Sequence, residues 1–151
     1  MIVGLASDHG GYLLKEYIKS HFEEKNVKFI DLGTFSEESV DYPDFGEKAA
    51  EAVLSEKCDC AIIFCGTGIG ISIAANKVPG IRCAVVSDVF SAKMSKAHNN
   101  VNILALGGRV IGKGLASEII DVWLDTEFIG GRHERRVRKI HEVENKYLNK
   151  K

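Results

Sequence analysis

Residues 60–70 read CAIIFCGTGIG, and this stretch decides the fold. Its first half is an apolar run without polar alternation, which is typical of a strand covered on both faces of a parallel sheet. Its second half places glycines at positions 66, 68 and 70, which indicates a tight turn before a helix predicted over residues 71–76. A buried strand, a turn and a helix are the repeating parts of an α/β protein.

Further apolar runs of this kind predict strands over residues 2–7, 27–32, 82–86 and 103–106. Helical spacing separates them, for example at Leu14, Ile18 and Phe22, and Pro43 marks the first turn of another helix. Alternating strands and helices predict a doubly wound, Rossmann-like α/β fold: a three-layer sandwich with a five-stranded parallel sheet and an extra C-terminal helix. No linker divides the chain, so we expect a single domain over residues 1–151.

The extra helix follows Gly130-Gly131 and begins with the basic sequence RHERRVRK at residues 132–139. Arg132 and Arg136 share one helix face, where they could hold a phosphate or form a solvated basic surface. The apolar members of the helix form one narrow stripe: Val137, Ile140, Val143 and Tyr147. Such a stripe needs a packing partner, either its own domain or a second subunit, and we favour a second subunit.

Composition excludes several classes of protein. A formal charge of −1 gives no global attraction to nucleic acid or to an anionic membrane. No apolar run approaches the ~20 residues of a membrane span. The N-terminal apolar run is too short for a signal peptide, and the cysteines match no zinc-binding pattern. These features predict a cytoplasmic protein with free thiols and with neither nucleic acid nor membrane as a partner.

The chemistry is expected at the carboxyl ends of the strands, where open α/β sheets bind ligands. The alternate glycines let backbone N–H groups converge on an anion, although they could merely make a tight turn. The turn is neither a Walker A loop nor a dinucleotide fingerprint. N–H groups at such a turn favour a thiolate at Cys65, which could act as base or nucleophile. Alternatively, Cys65 could simply be a buried apolar side chain. That is our interpretation of Cys58, Cys60 and Cys83.

Other polar residues are predicted on the same rim of the sheet. His9 follows the first strand and His98 precedes the fifth. Two histidines on the rim that carries Cys65 favour acid–base chemistry. Asp8 could orient an imidazole, accept sugar hydroxyls, or simply cap the next helix.

Six segments, in order along the chain, resemble the family of ribose-5-phosphate isomerase B and its galactose-6-phosphate isomerase relatives. They are SDHGG at 7–11, DYPD at 41–44, CGTGIGISIAANK at 65–77, HN at 98–99, GGRV at 107–110, and GGRH with RV at 130–133 and 136–137. The resemblance implies interconversion of ribose 5-phosphate and ribulose 5-phosphate in the pentose phosphate pathway, without a metal ion or other cofactor. It also implies a homodimer or a dimer of dimers with shared active sites.

The resemblance further implies roles for individual residues. The implied catalytic residues are Cys65, which would remove the proton from carbon 2, His98, which would open the sugar ring, and Thr67, which would assist. The implied substrate-binding residues are Asp8, His9, Gly66, Thr67, Gly68, Ile69, Gly70, Asn99, Arg109, Arg132 and Arg136. The glycine turn would hold the enediolate and the arginines the phosphate. Some relatives carry a glutamate base after this turn, but residues 71–74 contain no acid, so the cysteine branch applies.

Three alternatives stay open from the sequence. An isomerase of a six-carbon sugar phosphate, such as galactose 6-phosphate or allose 6-phosphate, would use the same machinery. A nucleotide- or flavin-binding module would bind its ligand without catalysis. A cysteine-nucleophile enzyme, such as an acyl transferase, would form a covalent adduct on Cys65.

Overall fold

The computed structural model describes residues 1–148, in which strands and helices alternate along the chain. The strands are β1 (Ile2–Ser7), β2 (Lys28–Gly33), β3 (Cys60–Cys65), β4 (Cys83–Val85) and β5 (Ile103–Gly107). The helices are α1 (Tyr12–Glu24), α2 (Tyr42–Leu54), α3 (Ile69–Ala75), α4 (Val89–Asn99), α5 (Lys113–Asp125) and α6 (Arg132–Leu148). The described strands form one parallel sheet in the order β2-β1-β3-β5-β4, which confirms the predicted fold class.

Strand β3 lies at the centre of the sheet, and every residue in it is buried. Alternate side chains enter two separate cores: Ile62 and Phe64 lie in one, and Ala61 and Ile63 lie in the other. Burying a side chain such as Ile or Phe contributes about 1.5–3 kcal/mol, so both faces stabilise the strand. This double burial explains the absence of polar alternation in the sequence.

The helices complete three layers and create a crevice at one edge of the sheet. Ile18 of α1 and Trp123 of α5 lie in the core of Phe64, whereas Ala49 of α2 and Ile71 of α3 lie in the opposite core. The helices that follow the adjacent strands β1 and β3 therefore cover opposite faces. Such a reversal opens a ligand-binding crevice at the carboxyl ends of the two strands.

Helix α6 lies outside these layers and packs in part on its own chain. His133 and Val137 are buried, and α6 contacts α4. Ile140 and Val143 remain 46% and 58% exposed. The chain's own α4 therefore takes up the first part of the apolar stripe, contrary to our preference for a second subunit, and leaves the later part open.

The element boundaries differ from prediction at two positions that matter for the site. Helix α3 begins at Ile69 rather than at residue 71, and α4 includes His98 and Asn99 in its last turn. The predicted domain runs to residue 151, of which residues 149–151 lie outside the described residues. Over residues 1–148, every helix is too short or too polar to cross a membrane.

Candidate active site

The glycine turn after β3 wraps around the sulfur of Cys65. Cys65 is 4% exposed, and its Sγ accepts a hydrogen bond of 3.1 Å from the Gly68 N–H. The Ile69 N–H donates to Thr67 Oγ1 at 3.2 Å, and the Thr67 side chain is exposed. The turn thus encloses the thiol and places a hydroxyl group at the surface beside it.

Two glycines of this turn are required by its geometry. Gly68 has φ of 78°, and a Cβ atom there would lie 2.9 Å from the Leu106 carbonyl carbon. A Cβ atom on Gly70 would lie 2.8 Å from the ring of Tyr42, which therefore covers the turn. The sequence predicts Tyr42 only as part of a helix start. Its place in the DYPD segment was the signal that could have identified it as a site residue.

Asp8 and His9 lie at the carboxyl end of β1, next to this turn. The Asp8 N–H donates to the Phe64 carbonyl at 3.1 Å, and a Cβ atom on Gly10 would lie 2.9 Å from the Gly66 nitrogen. Asp8 Oδ1 accepts the Gly11 N–H at 3.1 Å, so the carboxylate shapes the turn before α1. This contact resembles the helix-capping role that the sequence allows for Asp8.

Arg109 reaches the same place from the carboxyl end of β5. The Gly108 N–H donates to the Cys65 carbonyl at 2.8 Å, and the Arg109 N–H donates to the Gly66 carbonyl at 3.0 Å. A Cβ atom on Gly66 would lie 3.3 Å from Arg109 Nη1, so the guanidinium lies against the glycine turn. The carboxyl ends of β1, β3 and β5 thus bring an acid, an imidazole, a thiol and a guanidinium together.

A recess opens beside the glycine turn on the side of β4. It has a volume of about 290 Å³ and is lined by Thr67, Ile69, Val85, Val86, Ser87, Gly107 and Val110. Ile69, Val85 and Val110 are 53%, 44% and 57% exposed. The wall of the recess is therefore largely apolar and open.

His98 and Asn99 lie at the opposite edge of the sheet from Cys65. Helix α4 runs back from the carboxyl end of β4, and its 11 residues span about 16 Å. Arg82, just before β4, donates from Nε to the Asn99 carbonyl at 3.1 Å. The expectation that His98 shares the rim of Cys65 within one chain is therefore wrong. A helix that precedes a parallel strand must return the chain to the amino edge of the sheet.

A second cluster forms around His98 at this amino edge. Its ring stacks on His133 with a centroid distance of 4.1 Å and an interplanar angle of 3°. Arg132 and Arg136 extend from the same end of α6 and are exposed. Burial, together with the charges of His98 and both arginines, lowers the pKa of His133 and favours its neutral form. Sequence reasoning missed His133, which lies within the GGRH segment but was given no role.

The other cysteines have the character predicted for buried apolar side chains. Burial raises the pKa of Cys60 to about 11 and also raises the pKa values of Cys58 and Cys83. Cys58 and Cys60 are each 3% exposed, while Cys83 is half-buried. In the described part of the chain, no three or more His, Cys, Asp or Glu side chains form a group that could hold a metal ion.

Comparison with known proteins identifies the family. The sequence pattern of the Ribose/Galactose Isomerase family matches residues 3–140. The chain belongs to this ribose/galactose isomerase family. It is 46% identical over 144 residues to ribose-5-phosphate isomerase B of Escherichia coli. The aligned residues cover 95% of this chain and 97% of that protein. Membership of an isomerase family favours an isomerase over the nucleotide-binding module and the acyl transferase.

Solved structures of ribose-5-phosphate isomerase B have the same fold as this member of the ribose/galactose isomerase family. The Clostridium thermocellum protein matches with a TM-score of 0.96 and 58% identity, over 97% of this chain and 99% of that chain. The Thermotoga maritima protein matches with a TM-score of 0.92 and 50% identity, over 94% of this chain and 98% of that chain. The roles of the individual site residues stay predictions.

Proposed function

We propose that this protein interconverts ribose 5-phosphate and ribulose 5-phosphate, as a step of the pentose phosphate pathway, with Cys65 as the base. The observation that carries the proposal is the position of Cys65 at the crevice between β1 and β3, with the Gly68 N–H directed at its sulfur. A hydrogen-bond donor aimed at sulfur suits a thiolate, which is the form that can accept a proton.

The proposed reaction moves one proton between adjacent carbon atoms. In the open-chain aldose, the Cys65 thiolate takes the proton from carbon 2, and the electron pair of that bond forms the enediolate. The Cys65 thiol then returns its proton to carbon 1, while a hydroxyl proton passes between the two oxygens, which gives the ketose. No net oxidation occurs, so the reaction consumes no electron carrier, and we propose that it needs neither a metal ion nor another cofactor.

The turn after Cys65 would stabilise the enediolate. Backbone N–H groups at the start of a helix have no intrahelical acceptor. In this turn the Gly68 N–H donates to Cys65 and the Ile69 N–H donates to Thr67 Oγ1, so we propose that the Gly70 N–H is the donor available to an oxyanion. Each preorganised donor of this kind contributes about 2.7–4 kcal/mol in other enzymes. Thr67 would assist through its exposed hydroxyl group, and Asp8 and His9 would bind sugar hydroxyls.

We propose that two copies of the chain share each active site. Cys65 lies at the carboxyl edge of the sheet, while His98 and the α6 arginines lie at the amino edge, at the far end of α4, which is about 16 Å long. A single chain therefore does not bring its ring-opening histidine to its base. A symmetric dimer would bring the amino edge of one chain to the carboxyl edge of the other. Asn99, Arg132 and Arg136 would then bind substrate held beside the partner's Arg109.

An exposed apolar surface supports a partner at this position. Ile69, Val85 and Val110 in the wall of the recess beside Thr67 are largely exposed, and so are Ile73 of α3 and Phe90 of α4, which are 55% and 72% exposed. Exposed apolar groups of this size near a polar site are typical of a protein interface.

The free thiols, in turn, support our proposal of a location in the reducing cytoplasm.

The proposal is tested by adding ribose 5-phosphate to the metal-free protein and measuring ribulose 5-phosphate. We expect conversion by the wild type and a loss of about 10²–10⁴-fold in kcat for Cys65→Ala, because a positioned base contributes that much. Cys60→Ala is the matched control, since it removes a buried thiol from the other end of the same strand. Full activity in Cys65→Ala would move the base elsewhere, and inactivity of the wild type would reject this substrate.

The alternative is a six-carbon sugar phosphate, such as galactose 6-phosphate or allose 6-phosphate. It is favoured by the family description, which includes a galactose isomerase, and by the open side of the recess. The ratio of kcat/KM for five- and six-carbon phosphates decides between them. A higher value for a six-carbon sugar would retain the Cys65 chemistry and change the substrate.

A further inference from the structure

Lys15 is a lysine whose side chain is completely buried. It lies on α1, and its Nζ donates to Asp31 Oδ1 at 2.7 Å and to Glu16 Oε1 at 3.0 Å. The ammonium group also lies 5.5 Å from the centre of the Phe35 ring. A buried ammonium is costly unless it is paired, so its place beside the candidate active site calls for a function.

The partner of Lys15 holds the start of the loop between β2 and α2. Asp31 Oδ1 also accepts the Gly33 N–H at 3.0 Å, and its Oδ2 lies 2.7 Å from Lys19 Nζ. Burial opposes ionisation of Asp31, but the hydrogen bonds from both lysines and from Gly33 hold its pKa below the usual range. Lys15 therefore contacts the chain on both sides of the point where this loop begins, through Asp31 in β2 and through the ring of Phe35 in the loop.

The far end of the same loop reaches His9. The Val40 N–H donates to His9 Nδ1 at 3.2 Å, just before α2 begins at Tyr42. A backbone N–H can only donate, so Nδ1 must be the acceptor and carry no proton. The proton of the neutral ring is then on Nε2, which leaves Nε2–H as the donor that the ring can offer to a ligand.

We infer that Lys15 is a positioning residue that fixes the loop over residues 34–41, and that the loop holds His9 as the Nε2–H tautomer. This inference rests on the proposed function for one point, the binding of a substrate oxygen by His9. Through Asp31 and Phe35, Lys15 keeps Val40 in place. His9 then presents its single proton to a hydroxyl or phosphate oxygen before substrate arrives.

The tautomer is measured directly by nitrogen NMR of the histidine side chains in the protein without substrate, above the ordinary histidine pKa of about 6.5. The chain has five histidines, and comparison with His9→Gln assigns the signals of His9. We expect an unprotonated Nδ1 and a protonated Nε2. The opposite tautomer, or an equal mixture, would overturn the assignment of His9, whether or not the protein is an isomerase.

The role of Lys15 is tested with Lys15→Met, which keeps most of the unbranched, apolar part of the side chain and removes the ammonium group. We expect mixed tautomers at His9 and an increase in KM of about tenfold, the cost of one weakened hydrogen bond, with kcat nearly unchanged. Lys15→Arg, which keeps the positive charge, should restore most of the wild-type tautomer and KM. Lys19→Met is the matched control, because Lys19 also pairs with Asp31 but does not contact Phe35, and it should retain the wild-type tautomer.

A folded Lys15→Met variant with the wild-type tautomer and KM would overturn the role of Lys15. If that variant does not fold, Phe35→Ala tests the same connection, because the Phe35 ring is 68% exposed and its removal spares the core. It should give partial mixing of the His9 tautomers. An unmixed tautomer in Phe35→Ala would then count against the inference.

Discussion

Two cysteines at the two ends of β3 show how different the edges of this sheet are. Cys60 begins the strand, Cys65 ends it, and they are 3% and 4% exposed. Burial among apolar groups raises the pKa of Cys60 to about 11, which keeps it a thiol. Cys65 instead accepts a backbone N–H from the glycine turn. Equal burial of the same side chain thus gives an inert group at one edge and a candidate base at the other.

The amino edge of the sheet also carries functional side chains, but they differ in type from those at the carboxyl edge. The carboxyl edge combines Cys65 with the turn's N–H groups, Asp8 and His9, which suits proton transfer. The amino edge combines a stacked histidine pair with two exposed arginines of α6, which suits ring opening and phosphate binding. We therefore predict that substitutions at the two edges change different kinetic constants.

Among substitutions that leave Cys65 itself in place, the largest effect is expected from Gly68→Ala at the carboxyl edge. A side chain there has an unfavourable φ and would lie 2.9 Å from the Leu106 carbonyl carbon, which displaces the N–H that contacts Cys65. We expect kcat to fall by about 10²–10³-fold, the cost of one misplaced donor. Gly114→Ala is the control, because a Cβ atom there meets no neighbour within 4 Å. Equal kcat values in both variants would remove the turn from catalysis.

A smaller effect, on a different constant, is expected from Arg136→Ala at the amino edge. Loss of a charge-assisted hydrogen bond of about 1.5–3 kcal/mol should raise the KM for the phosphorylated sugar by roughly 10–100-fold. The fold should be unaffected, because Arg136 is exposed. Arg138→Ala, two residues along the helix and on another face, should leave KM unchanged. An unchanged KM in Arg136→Ala would exclude that arginine from the site.

The smallest effect is expected from Asp121→Asn, which tests whether part of the molecule contributes stability alone. Burial opposes ionisation of Asp121, but Lys25 and His21 outweigh it and lower the pKa. Because the folded pKa is the lower one, these pairs stabilise the fold above the unfolded pKa of about 3.9, and the contribution is lost as pH falls through the folded pKa.

The measurement is the free energy of unfolding of both proteins as a function of pH. At neutral pH, Asp121→Asn should lose about 0.2–1 kcal/mol, with kcat and KM unchanged, and the difference should vanish in acid. A change in kcat would instead link the α1–α5 contact to the active site.

Much of the carboxyl edge could be predicted from the sequence, because its signals are local. The run at residues 60–65 and the glycines after it gave the strand, the turn and the place of Cys65. The sequence pattern predicts the wrong edge for His98, because the polar residues around it resemble those at the carboxyl ends of the strands. Because α4 must return the chain to the start of the parallel strand β5, the end of α4 that carries His98 has to lie at the amino edge of the sheet.

The rest of the site could not be predicted, because it depends on long-range contacts. Nothing in the sequence near Lys15 indicates that Asp31, 16 residues away, will accept a hydrogen bond from Lys15 Nζ in a buried pair. Likewise, the stack of His98 on His133 depends on how α6 packs against α4. The strand order, which places β5 between β3 and β4, also has no local signal.

The central claim, one site built from opposite edges of two chains, is tested most directly by subunit complementation. Cys65→Ala and the double variant His98→Asn/Arg136→Ala are each assayed alone, then unfolded, mixed in equal amounts and refolded together. Mixed dimers contain one intact site, so random pairing should restore about one quarter of the wild-type sites. Activity in the mixture no greater than the average of the two parents would contradict the shared site and return all these residues to a single chain.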